Sequence, residues 1–150
     1  MQKKFKLQKV LDYRNLVLER EKAQLAELVM QEQRIIEEVR DATAMIQQKQ
    51  QEMAEAQDKG DFNIAQLYPK YILRLEADRN KLQLKLAEHR QTMYKQKGKT
   101  VVAFKRKTVM DKLQTKHKEA YRTFVDKEEA KTTEDIVLTR KAAQMVNAEE

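Results

Sequence analysis

The chain has 150 residues, 37% of them charged and 41% apolar, with no Cys or Trp, two Gly and one Pro. So few breakers leave little room for the loops of a compact fold, and the lack of thiols excludes a disulfide framework and cysteine chemistry. The net charge of +7 is unevenly placed: residues 94–118 carry nine Lys and Arg against one acidic residue, whereas residues 1–57 balance ten against ten.

The N-terminus, MQKKFKLQKVLDYR, is basic but lacks the apolar run of a signal-peptide core, and no stretch approaches the roughly 20 apolar residues of a membrane span. A cytoplasmic protein is expected, or one exported without a cleaved leader. Phe5, Leu7, Val10 and Leu11 among Lys3, Lys4, Lys6 and Lys9 could lie on an anionic membrane. Their pattern runs on without a break, which favours the first turns of a coiled coil.

From there the first arm reads in heptads. One series is Leu11, Leu18, Leu25, Glu32, Val39, Ile46 and Met53; its companion is Leu7, Arg14, Glu21, Leu28, Ile35, Ala42, Lys49 and Ala56. The alternating spacing of three and four predicts a left-handed supercoil over residues 3–57, a rod of roughly 80 Å. Arg14, Glu21, Glu32 and Lys49 interrupt the seam with charge, which weakens a coil but helps fix its register.

The stretch 58–69, DKGDFNIAQLYP, holds Gly60 and Pro69. Gly60 can take the positive φ that stops a helix, Asn63 can cap a new one, and Pro69 suits a first turn. This stretch predicts the tip of an antiparallel hairpin, with residue i opposite a residue near ~125 − i if the reversal centres near residue 63. A second helix over about 70–146 follows, through Tyr71, Ile72, Leu75, Leu82, Leu86, His89 and Met93. Gly98 then interrupts, and Val101, Val102, Phe104, Val109, Met110 and Leu113 change phase, which predicts a stutter. The fold class is therefore all-α: one coiled-coil domain of two long helices whose C-terminal segment overhangs beyond about Phe124. Alone, residues 125–150 are expected to be mobile or weakly helical.

No Gly-rich phosphate loop, HExxH motif, or nucleophile with a nearby base is present, so no enzyme and no cofactor are expected. His89 and His117 fall at seam-like positions, where packing outweighs a metal or general-base role. The basic patch, Lys95, Lys97, Lys99, Lys105, Arg106, Lys107, Lys112, Lys116 and Lys118, reads first as a solvated face and second as a contact for an acidic protein. Third is nucleic acid, with Tyr94 and Phe104 available to stack; its charges surround the helix instead of forming one stripe, so nucleic acid is not the expected partner. Tyr68, Tyr71, Ile72 and Leu75 either offer a partner a patch or pack back on Met53 and Ala56.

The opening Phe5-x-Leu7-Gln8-x-Val10-Leu11-x-x-Arg14, followed by Glu19, Ala23 and Leu25, resembles that of the FliJ family, coiled-coil components of the bacterial flagellar type III export apparatus. The ending Glu129-x-Lys131-x-x-Glu134-Asp135-x-x-x-x-Arg140 is similar to that family's, although Thr132 and Thr133 stand where more helix-favouring residues are expected. The resemblance covers nearly the whole chain. It implies a two-helix coiled coil like the central stalk of rotary ATPases, with joined termini in the ring of the export ATPase FliI. It also implies contacts with the export gate protein FlhA, with FliH and with export chaperones, at the cytoplasmic side of the inner membrane. Carried over residue by residue, Tyr71, Leu75 and Leu82 become the gate-binding surface. Leu7, Leu11, Phe124, Val125, Ile136 and Leu138 become the ring-binding end. The equivalent stalk of a virulence injectisome shares this architecture, and a basic nucleic-acid-binding coiled coil is the alternative from another class.

Overall fold

A computed structural model describes residues 1–149. It is all-α, with α1 over Gln8–Asp58, a single turn α2 over Phe62–Ala65, and α3 over Tyr68–Glu149. Contacts group the chain into two units, one of Leu18–Val102, the other of Met1–Val17 with Ala103–Glu150.

The Leu18–Val102 unit contains the whole hairpin tip. Gly60 ends α1 at φ 79°, in the left-handed region that glycine enters without a Cβ clash. Its N–H donates to the Gln57 carbonyl at 3.1 Å, and the Asp61 N–H donates to the Ala56 carbonyl at 2.9 Å. Together these are the paired bonds of a Schellman motif, which satisfy carbonyls that the helix end leaves free. Asp61, not Asn63, precedes α2, and it makes no side-chain capping bond. Pro69 sits in the first turn of α3, where its missing N–H costs nothing.

Burial along α1 in this unit follows the heptads. Leu18, Ile35, Ile46 and Ala56 are buried, and Leu25, Leu28, Val39, Ala42 and Met53 are half-buried. Cross-arm bonds set the register: Leu28 pairs with His89, Glu32 with Arg90, Glu21 with Gln96. Residue i thus lies opposite a residue near ~120 − i, about five residues from the expected register. The reversal is made at Lys59–Asp61 by the Schellman motif, and α2 already belongs to the returning side.

The expected stutter at Gly98 does not occur. On α3 the covered positions keep their spacing of three and four through Leu86, His89, Met93, Gln96 and Thr100. Val101 and Val102 lie off this seam and are exposed, as are Phe104, Val109 and Leu113 in the other unit. The seam-lining residues here are polar or small, so apolar content pointed to the wrong face.

In the Met1–Val17/Ala103–Glu150 unit, α1 starts at Gln8, not near residue 3. A start near residue 3 would put Lys3, Lys4 and Lys6 at the positive end of the helix dipole with no acidic residue among them to offset the charge. The seam joins Gln8, Leu11, Arg14 and Val17 to Ala103, Lys107, Met110, Gln114, His117 and Tyr121. Gln114 donates to Gln8 at 2.8 Å, and His117 stacks on Phe5 at 5.6 Å while its Nε2 donates to the Lys3 carbonyl at 3.2 Å. With Leu11 and Ala103 its buried apolar residues, this seam is thinner than that of the hairpin unit. From Asp126 to Glu149 every residue is exposed, although α3 stays helical where weak helicity was expected. Thr132 and Thr133 bond back to the Glu128 and Glu129 carbonyls, which satisfies their hydroxyls inside the helix.

Candidate interaction surfaces

Four charged residues interrupt the first-arm seam, and each has a partner. Gln96, 4% exposed, donates its amide to both the carbonyl and the carboxylate of Glu21, and the Thr100 hydroxyl donates to the same carbonyl at 3.4 Å. Glu32 accepts from Arg90 at 3.3 Å. The Arg14 guanidinium lies over the Tyr13 ring at 5.7 Å. Lys49 sits 3.1 Å from Glu52 and 5.8 Å from the Tyr71 ring, and the Tyr68 hydroxyl donates to Glu52 at 3.2 Å. The Lys49 bond holds the Glu52 carboxyl below its usual range, and the Glu52 bond holds the Lys49 ammonium above its own. Desolvation, then Glu52, pushes the Tyr68 phenol up. Arg79 contrasts with these four, since its Nε is buried without a hydrogen-bond partner.

Both histidines hold the two arms together. His89 Nε2 donates to the Leu28 carbonyl at 2.7 Å, and His117 acts likewise on Lys3. No group of three or more His, Asp or Glu gathers among the described residues.

The residues carried over as a gate-binding surface are not alike. Tyr71 is exposed, whereas Leu75 and Leu82 are half-buried on the seam spacing, with Ile72 buried beside them. The larger apolar surface at the tip comes from Phe62, Leu67, Ile64 and Leu73; Phe62 is 63% and Leu67 71% exposed. Phe62, Ile64 and Leu67 lie in the stretch read as a turn, and Leu73 lies in α3. The signal of the first three was a run of apolar side chains in a turn that had no seam left to cover them.

The ring-binding set also divides. Leu11 is buried in the seam and Val125 half-buried; Leu7, Ile136 and Leu138 are exposed and Phe124 sits at the edge of exposure. Met145 and Val146, which the sequence reading did not single out, extend the exposed apolar surface of the overhang. Of the basic patch, Lys95, Lys97 and Lys99 are exposed in the hairpin unit. Lys105, Arg106, Lys112, Lys116 and Lys118 are exposed in the other, where Lys107 is half-buried and paired with Asp111 at 2.9 Å.

No known family, curated protein sequence or solved structure matches the chain. The class that its own geometry defines is an all-α helical hairpin. No helix among the described residues is long and apolar enough to cross a membrane.

Proposed function

We propose that the chain is a stalk-like rod of the bacterial flagellar export apparatus, engaging the ring of the export ATPase through the end that carries its termini. One observation carries this reading. After the paired region, α3 runs on from Asp126 to Glu149 with every residue exposed, and Ile136, Val137, Leu138, Met145 and Val146 are among them. A helix without a neighbour gains no stability from packing, and so many exposed apolar side chains suit a segment that a partner covers.

On this reading the work is mechanical and the chain needs no catalytic group. The basic residues of α3 beside the overhang would steer it toward an acidic ring mouth, and association would weaken with salt. The tip would face the membrane-bound gate at the cytoplasmic side. Tyr71 with Phe62, Ile64 and Leu67 is the surface available to FlhA there, because Leu75 and Leu82 are engaged in the seam. Contacts with FliH and the export chaperones belong to the same proposal. The test is to purify the chain with the candidate ATPase. Co-elution with stimulated hydrolysis supports the reading, and neither at modest salt removes it.

A further inference from the structure

The Met1–Val17/Ala103–Glu150 unit has two unlike flanks. Gln8 bonded to Gln114 sets the level of the two helices, and antiparallel pairing puts the residues just before Leu11 and just before Gln114 on one flank of the seam. That flank gathers Val10 and Tyr13 of α1 with Val109 and Leu113 of α3, spaced so that each pair shares a helix face. All four are exposed, Val109 at 54%. Arg106 and Lys116 lie on the same stripe of α3, three or four residues from these apolar positions, and Lys9 and Lys112 border it; all are exposed.

No acidic side chain of the paired region stands on this flank. Residues 1–17 and 103–121 contain three, Asp12, Asp111 and Glu119. Asp12 and Asp111 fall on the opposite flank, where Asp12 accepts from Gln8 at 3.0 Å and Asp111 pairs with Lys107 at 2.9 Å; Glu119 lies on the outward face of α3, one heptad beyond Lys112. An apolar centre bordered by Lys9, Arg106, Lys112 and Lys116, with Glu119 the one acidic residue near it, is not what a solvated helix face requires. Its complement is a second helix with leucines along one face and carboxylates along the edges of that face.

We propose that this flank is a docking groove for an acidic amphipathic helix of a partner protein. The four apolar residues of this flank include no Trp or Phe, the side chains that wedge into a bilayer, and their one aromatic is Tyr13. A phosphate backbone would satisfy the cations but leave the apolar centre uncovered. The groove is separate from the overhang, and its test needs no ATPase.

The probe is a labelled 15-residue helical peptide with Leu at positions 1, 4, 8, 11 and 15 and Glu at most others, titrated into the full chain by fluorescence anisotropy. Binding should weaken at least tenfold in Val109→Ser/Leu113→Ser and in Arg106→Glu/Lys116→Glu. It should hold within about twofold in Lys118→Glu/Arg122→Glu, which makes the same charge change on the other flank. Circular dichroism checks that each exposed pair leaves the helices formed. Equal loss in both charge-reversed proteins would overturn the proposal, since attraction would then be general. So would equal binding of a peptide with Ser for every Leu. A duplex DNA or an anionic vesicle bound through Val109 and Leu113, while the acidic peptide fails to bind, would assign the flank to that partner instead.

Discussion

The buried layer of Glu21, Gln96 and Thr100 offers the sharpest test of how the seam is held. In Gln96→Leu, two amide bonds to Glu21 are lost, one to a carboxylate worth about 1.5–3 kcal/mol and one to a carbonyl worth about 1 kcal/mol. A buried leucine returns up to about 1.5 kcal/mol. The net loss should be about 1–2 kcal/mol, with the half-buried Glu21 carboxylate left without its amide donor. Glu21→Leu should cost a similar amount, because the buried amide keeps only the backbone carbonyl of residue 21 and its other N–H is left unpaired. The double variant removes both demands, and an apolar layer can match or exceed the polar one. The coupling in this cycle should therefore reach about 2 kcal/mol. Urea unfolding followed by circular dichroism at 222 nm measures it, provided the slope stays constant across the four proteins. Single effects that add to within about 0.5 kcal/mol would refute the reasoning, for Glu21 and Gln96 would then not be partners.

Three further outcomes follow from the geometry. Gly98 is exposed, inside α3, and a Cβ there meets nothing within 4 Å, so Gly98→Ala should stabilise by about 1 kcal/mol in the same urea assay. Gly60→Ala should instead cost about 1–2 kcal/mol, since φ is 79°; equal effects at both sites would remove the left-handed turn. Val39→Cys with Leu82→Cys should cross-link within one chain faster than Val39→Cys with Leu86→Cys, and the reverse order would restore the longer register. The Lys49–Glu52–Tyr68 cluster should be sensitive to pH on both sides. Glu52 contributes above the ordinary carboxyl value of 4.5 and loses its contribution as pH falls through its lower folded value. Lys49 contributes fully below 10.5 and loses it as pH rises through its higher folded value, with Tyr68 acting in the same sense above 10.0. Glu52→Gln should flatten the acid limb of stability against pH; an unchanged limb would dismiss the cluster.

The first-arm seam was legible because its apolar residues obey a spacing that physics ties to one structure, a supercoiled helix. The four charged interruptions were legible as register devices, although the partners of Glu21 and Glu32 were not, because Gln96 and Arg90 lie on the other arm. Beyond Met93 the second-arm seam was legible at His117 but not in its phase. There Gln96, Thr100, Ala103, Lys107 and Gln114 occupy the covered positions, while Val101, Val102, Phe104 and Val109 face outward. An apolar count reads the outward residues as core, and only the pairing with Glu21 and Gln8 reveals the true phase. The register missed by about five residues because backbone bonds at Gly60, not composition, fix where the chain turns. Of the surfaces, the overhang was visible as surplus length, and the basic patch as a charge run. The exposure of Phe62, Ile64 and Leu67 was not legible, because a tight turn has no periodicity to show which of its side chains the seam covers.

The stalk reading is tested most directly by removing residues 126–150. Residues 126–149 are exposed throughout, so their loss should leave the melting of the hairpin nearly unchanged. Hydrolysis by the export ATPase, measured with full-length and shortened chains at equal concentration, is the deciding quantity. The account predicts that the full chain stimulates and the shortened chain does not. A shortened chain that stimulates as well as the full one would contradict it.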